Sequence, residues 1–147
     1  MAYDVKVPDL TADSPLAWDL ETVPNPEMVK HLPDPKPRGN LKDPEKIAAD
    51  IAEKHQKQIG GMALNGNTAL IVAAGFSARM KGGELWSEVL IYDERTGEKD
   101  FLCALWDVLS AAKRYITFNG VEYDVPVLLR RSLVREVIPP VTSALLN

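Results

Sequence analysis

The period of the apolar positions changes several times along the chain, and each change predicts an element. Pro15-Leu16-Ala17-Trp18-Asp19-Leu20-Glu21-Thr22-Val23 reads as a short strand. Side chains alternate on a strand, so Trp18, Leu20 and Thr22 share one face, and Ala17, Asp19, Glu21 and Val23 the other. From Pro24 to Pro37 the prolines Pro24, Pro26, Pro33, Pro35 and Pro37 exclude both a helix and a central strand, which predicts an extended surface loop. Asp43 is a good N-cap, and Pro44 suits the first position of a helix. Its predicted apolar stripe is Ile47, Ala48, Ile51, Ala52 and Ile59, with Lys46, Asp50, Glu53, Lys54 and Lys57 mostly off it. Gly60-Gly61 is the expected stop.

Residues 69–77 form a nearly continuous apolar run, which predicts a strand covered on both faces. Residues 84–92 suit a hairpin partner across the Lys81-Gly82-Gly83 turn. A second helix is predicted over residues 100–114, with Leu102, Leu105, Trp106, Leu109 and Ala112 on one face. Tyr115-Ile116-Thr117-Phe118 then reads as a buried strand stopped by Asn119-Gly120. A third helix is expected from Asp124 through Leu133, and Pro139-Pro140 ends regular structure. The order of elements predicts an α/β fold with a mixed sheet and packed helices. The last strand returns after a helical crossover and can pair in parallel. Trp18, Trp106 and Cys103 are expected inside, and Trp86 partly exposed. For Phe118 and Tyr123, core packing is favoured over stacking with a nucleobase.

Composition narrows the class. A chain of 147 residues with 46% hydrophobic and 26% charged residues is an ordinary globular domain, here one domain over 1–147. The single cysteine, Cys103, excludes an internal disulfide and a Cys-based zinc site, and it fits a reducing, cytoplasmic setting. The opening residues do not read as a signal peptide, and the apolar runs are too short to span a bilayer, so no membrane partner is expected. A net charge of −4 argues against a broad basic face for nucleic acid. It is compatible with an enzyme whose carboxylates hold divalent cations that supply the positive charge.

Asp19 and Glu21 are the candidate chemistry. Two acids side by side on one face of a strand repel unless a cation lies between them. Their hard oxygen donors suit Mg²⁺ or Mn²⁺. Asp124, at the carboxyl end of a neighbouring strand, can join them. Three converging carboxylates can hold two cations that activate a water and stabilise a leaving oxygen in phosphoryl displacement. The simpler readings are a solvated strand end for the pair and a helix N-cap for Asp124. Arg130, Arg131 and Arg135 suit either a phosphate backbone or a solvated helix face, the latter favoured. Asn119 either holds Asp124, touches substrate or simply makes a turn.

Trp18-Asp19-Leu20-Glu21-Thr22-Val23-Pro24 resembles the first motif of the DEDD superfamily of 3′–5′ exonucleases. Phe118-Asn119-Gly120-Val121-Glu122-Tyr123-Asp124-Val125-Pro126-Val127-Leu128 resembles the second. The nearest likeness is to the bacterial and phage group similar to the proofreading domain of family-B DNA polymerases. It extends over the insert at 25–64, a Pro-rich loop plus one helix, from Gly39-Asn40-Leu41-Lys42-Asp43-Pro44 to Met62-Ala63-Leu64. The resemblance implies an RNase H-like fold and two Mg²⁺ or Mn²⁺ ions on Asp19, Glu21 and Asp124. It implies Thr22, Asn119 and Tyr123 at the substrate, the 3′ end of single-stranded DNA as partner, and replication or repair proteins as company. The family's third motif, a Tyr-x-x-x-Asp or His-x-x-x-Asp, is absent: nothing acidic follows Glu136, and neither His31 nor His55 stands where the family's histidine would. The fold is thus expected to be C-terminally incomplete. Two functions stay open, a 3′–5′ exonuclease and a catalytically inactive RNase H-like module that binds nucleic acid or protein.

Overall fold

The computed structural model describes residues 3–140. The alternating first segment becomes strand β1 (Leu16–Pro24), with Leu16, Trp18 and Leu20 buried and Asp19 and Glu21 exposed. After it come α1 (Pro26–Val29), α2 (Pro44–Met62), β2 (Ala69–Arg79), β3 (Leu85–Ile91), α3 (Gly97–Leu109), β4 (Tyr115–Ile116) and α4 (Asp124–Val134). The sheet order is β3-β2-β1-β4; β1–β2 and β2–β3 are antiparallel and β1–β4 is parallel. This is an α/β fold with a mixed four-stranded sheet and helices packed on it. Both the hairpin and the parallel return after a crossover are as expected. Among the described residues, no helix is long and apolar enough to cross a membrane.

The core gathers on one side of the sheet. Leu16, Trp18 and Leu20 of β1 and Ile71, Ala74 and Phe76 of β2 meet Phe101, Leu102, Leu105, Trp106 and Leu109 of α3 and Val127 and Leu128 of α4. A β-bulge opposite Glu21 and Thr22 makes this possible. Glu21 pairs with Ala73 but Thr22 with Ile71, so Val72 is the extra residue. Odd positions (Ala69, Ile71) and even positions (Ala74, Phe76, Ala78) of β2 therefore all reach the same side.

Several expectations need correcting. The apolar run of β2 is fully buried on one face only; Leu70, Val72, Ala73, Gly75 and Ser77 are half-buried. On β3, Leu85, Val89 and Ile91 are exposed. A continuous apolar run permits two-sided cover but does not compel it, because alanine, glycine and serine expose little apolar area. The predicted strand at 115–118 shrinks to two residues, with Ile116 exposed. Cys103 is exposed, because it shares the outer face of α3 with Lys99, Asp107 and Ser110. The Pro-rich loop contains the short α1: Pro26 sits at its start, and Asn25 Oδ1 accepts from the Glu27 N–H at 3.0 Å.

Helix α2 begins as expected, with Asp43 Oδ1 accepting from the Glu45 N–H at 3.0 Å. It then runs through both glycines to Met62, since neither adopts the left-handed backbone that would end it. Its isoleucines are only half-buried, and Asp50, expected off the stripe, is buried. The Asp50 carboxylate pairs with Lys54 Nζ at 2.9 Å and Arg38 Nε at 3.0 Å, and it accepts from the Arg38 N–H at 2.9 Å. Lys54, more than the two Arg38 contacts, holds this carboxyl below its ordinary range. These bonds fasten the proline-rich segment to α2.

Candidate functional site

Strand β1 sets Asp19 opposite Gly75 and Glu21 opposite Ala73. Both neighbours are small, and the space above Gly75 is open. Among the described residues, neither acid has a hydrogen bond or ion pair to hold it.

Asp124 arrives by a tight loop from β4. The Tyr123 N–H donates to the Asn119 carbonyl at 2.9 Å, and the Val125 N–H to the Gly120 carbonyl at 2.8 Å. Residue 120 must be glycine, because a Cβ there would collide with the Thr117 side chain. The chain thereby enters α4 at Asp124, whose side chain is 1% exposed. Neither Asp124 oxygen has a hydrogen-bond partner. Burial pushes its carboxyl up, and Asp19 and then Glu21 add repulsion. The Leu20 and Asp124 N–H groups lie near enough to favour the anion slightly, but neither meets hydrogen-bond geometry. The N-cap position of α4 is Tyr123, with no side-chain cap, so the simple N-cap reading of Asp124 does not hold.

The structure thus brings Asp124 into the field of Asp19 and Glu21, as the sequence suggested. It does not close them into a cage. Among the described residues, no three His, Cys, Asp or Glu side chains stand close enough, as placed, to hold a metal ion. Thr22 and Tyr123, the residues flanking the acids, are bound to each other and to α2. Thr22 Oγ1 lies 2.5 Å from the Tyr123 hydroxyl; Thr22 donates to the Ala63 carbonyl at 2.8 Å and Tyr123 at 2.7 Å. Two hydroxyl protons cannot serve all three contacts at once, so the hydroxyls share them. The side chain of Asn119 is exposed and does not hold Asp124.

A cleft of about 570 Å³ opens beside Asp19. Ala17 and Ser77 contribute small side chains to it and Gly75 bare backbone, and Ile116 and Phe118 border it. Phe118 is fully exposed, which overturns its expected place in the core. Strand β4 ends two residues before it, and nothing then turns the ring inward.

The largest surprise lies in α4. Arg131 is not on a solvated face: it is 1% exposed, and its Nε and Nη2 donate to the two Glu98 carboxylate oxygens at 2.6 Å each. The sequence held the signal in its spacing. Val127, Leu128 and Arg131 share one face of α4, and Glu98, Leu102, Leu105 and Leu109 share one face of α3. Trp106 Nε1 donates to Ser132 Oγ at 2.9 Å beside this pair.

No protein-family model, no curated protein and no solved structure matches the chain.

Proposed function

We propose that this chain is an RNase H-like 3′–5′ exonuclease domain that acts on the terminal phosphodiester of single-stranded DNA. The observation that carries the reading is Asp124: a buried carboxylate with both oxygens unpartnered, repelled by Asp19 and Glu21. An arrangement that raises its own electrostatic energy is what a cation site needs. The donor set fits Mg²⁺ or Mn²⁺, being all carboxylate oxygen with no sulfur or imidazole. Asp19, Glu21 and Asp124 would hold the ions. When bound, such ions supply Lewis-acid stabilisation of a phosphodiester under attack by water.

The other residues position. The Thr22–Tyr123–Ala63 contacts tie the residues next to Glu21 and Asp124 to each other and to the C-cap of α2. Phe118 offers an exposed ring beside Asp19 on which a terminal base can stack, and the small residues of the cleft leave room for the sugar. With a net charge of −4 and three acids at the site, a DNA end is repelled from the carboxylates until cations bind there. The reading goes with the cytoplasmic setting expected from the single cysteine, and with replication or repair proteins as partners.

The absence of a closed three-ligand cage among the described residues favours a second reading, an inactive module that binds nucleic acid or protein through this face. One assay separates the two: Mg²⁺- or Mn²⁺-dependent digestion of a 3′-labelled single-stranded oligonucleotide. Exonuclease function predicts digestion by the wild type and its loss in Asp19→Ala. Digestion that survives Asp19→Ala refutes the site. Oligonucleotide binding without digestion in either protein supports the module.

A further inference from the structure

A second pocket of about 400 Å³, with Met28 and Val134 in its wall, lies beside the C-terminal half of α4. Asn25, Glu27, His31, Asn67, Arg131 and Arg135 border it. Arg131 follows Asp124 by seven residues, so the two sites are about 10 Å apart along the helix axis.

The charges here do not balance. Glu98 takes both Arg131 contacts and also the Arg135 Nε at 2.5 Å. One carboxylate therefore faces two guanidinium groups, and one positive charge remains. The rim carboxylate of Glu27 is paired with Lys30 at 2.9 Å and also lies in the field of His31 and Arg135, so it offsets the excess only in part. The side chains of Arg131 and Glu98 are each 2% exposed, so that pair is closed to water and the excess charge falls on Arg135. Arg135 is 42% exposed at its side chain and reaches solvent.

The polar groups on the pocket are mostly donors. Arg131 Nη1 and both terminal nitrogens of Arg135 have no partner among the described residues. Asn25 is buried and uses its Oδ1 on the Glu27 N–H, which leaves its amide donors unused. The side chains of Asn67 and His31 also have no hydrogen bond among the described residues. Surplus positive charge, a guanidinium pair and unused amide donors around one cavity are the recognition chemistry of an oxyanion.

We propose that this pocket binds a phosphate-type oxyanion. Arg131 and Arg135 supply the charge, and Asn25 and Asn67 direct the oxygens. The ligand is either free phosphate or the phosphate of a nucleic-acid strand, which share this chemistry. The proposal stands independently of the carboxylate site.

The test uses the whole chain and two probes, inorganic phosphate and a single-stranded oligonucleotide, against chloride at matched ionic strength. Thermal melts and titration calorimetry report binding. Arg135→Gln is the main variant: Arg131 still satisfies Glu98, so the fold is kept. Asn67→Ala is the second, since it touches no ion pair. Loss of a charge-assisted bond should weaken binding about tenfold or more in Arg135→Gln. Phosphate binding that weakens in both variants, with the oligonucleotide unaffected, assigns the site to a small anion. Oligonucleotide binding that weakens in both assigns it to a strand. Binding measured in EDTA, where no divalent cation can bridge a strand to the carboxylates, should show the same dependence on Arg135, which separates this site from the exonuclease reading. If neither probe shows binding that depends on Arg135, the proposal is wrong.

Discussion

Asp124→Asn should make the protein more stable, not less, when no divalent cation is present. The wild-type carboxylate is 1% exposed, lacks a partner for either oxygen and is repelled by Asp19 and Glu21. A buried unsatisfied polar group costs about 1–3 kcal/mol, more when charged. Asparagine keeps the shape and the polar atoms but removes the charge, so about 1–2 kcal/mol should be recovered. In a domain of this size that is roughly 3–6 °C in melting temperature. The sign with pH follows from the raised carboxyl. Its contribution to stability is fully present below the unfolded value, about 3.9, and is lost as pH rises through the folded value. The gap between variant and wild type should therefore be open at neutral pH and close in acid. Mg²⁺ or Mn²⁺ should narrow it from the other side. A ligand at a hundredfold excess over its Kd stabilises by about 2.7 kcal/mol, and Asp124→Asn should lose most of that gain. Thermal melts in EDTA, Mg²⁺ and Mn²⁺ at neutral and acid pH read every limb. A variant less stable than the wild type in EDTA at neutral pH, or one with an undiminished response to metal, would sink the reasoning.

Two further perturbations probe what holds the site in place. Glu98→Ala strands the Arg131 guanidinium in the core, and breaking such a buried pair costs about 3–5 kcal/mol; a urea titration should show the midpoint collapse, and a near-native midpoint would mean that Arg131 escapes to water. Tyr123→Phe removes the hydroxyl shared with Thr22 and Ala63 while leaving the ring, so it should cost about 0.5–1.5 kcal/mol. Amide exchange should quicken at the end of α2, and unchanged exchange there would mean that the contact is not a tether.

What was legible in the sequence is what depends on local period. Alternation in β1 placed Asp19 and Glu21 together on the face away from Trp18 and Leu20, and that is where they stand. Asp43-Pro44 gave the start of α2 because capping is a local exchange of hydrogen bonds. Tertiary burial was less legible. Asp50 and Arg131 sit inside because charged partners meet them there, Lys54 and Arg38 in one case and the distant Glu98 in the other. Phe118 stands outside although its neighbours read as a strand, because β4 pairs with β1 only at Leu16 and Ala17. The bulge at Val72 was hidden as well, since one extra residue in an apolar run leaves no mark on its composition.

Helix α4 carries an unbalanced negative group at its start and an unbalanced positive one toward its end. The helix dipole favours that polarity, since an anion suits the amino end and a cation the carboxyl end. Magnitudes decide whether this is enough. The dipole contributes about 0.3–1 kcal/mol per charge at a surface, and up to about 2 when partly buried. Taking an ion out of water costs several kcal/mol even after relaxation. The dipole therefore favours this polarity but neutralises neither end. Glu98 cancels one of the two guanidinium charges and no more. At the other end the balance can come from a proton, which is why the Asp124 carboxyl is pushed up, or from a divalent cation that displaces it. Proton and metal then compete for the same two oxygens. The apparent metal affinity should fall as pH is lowered through the Asp124 titration, and that competition should vanish in Asp124→Asn, where no proton is there to displace.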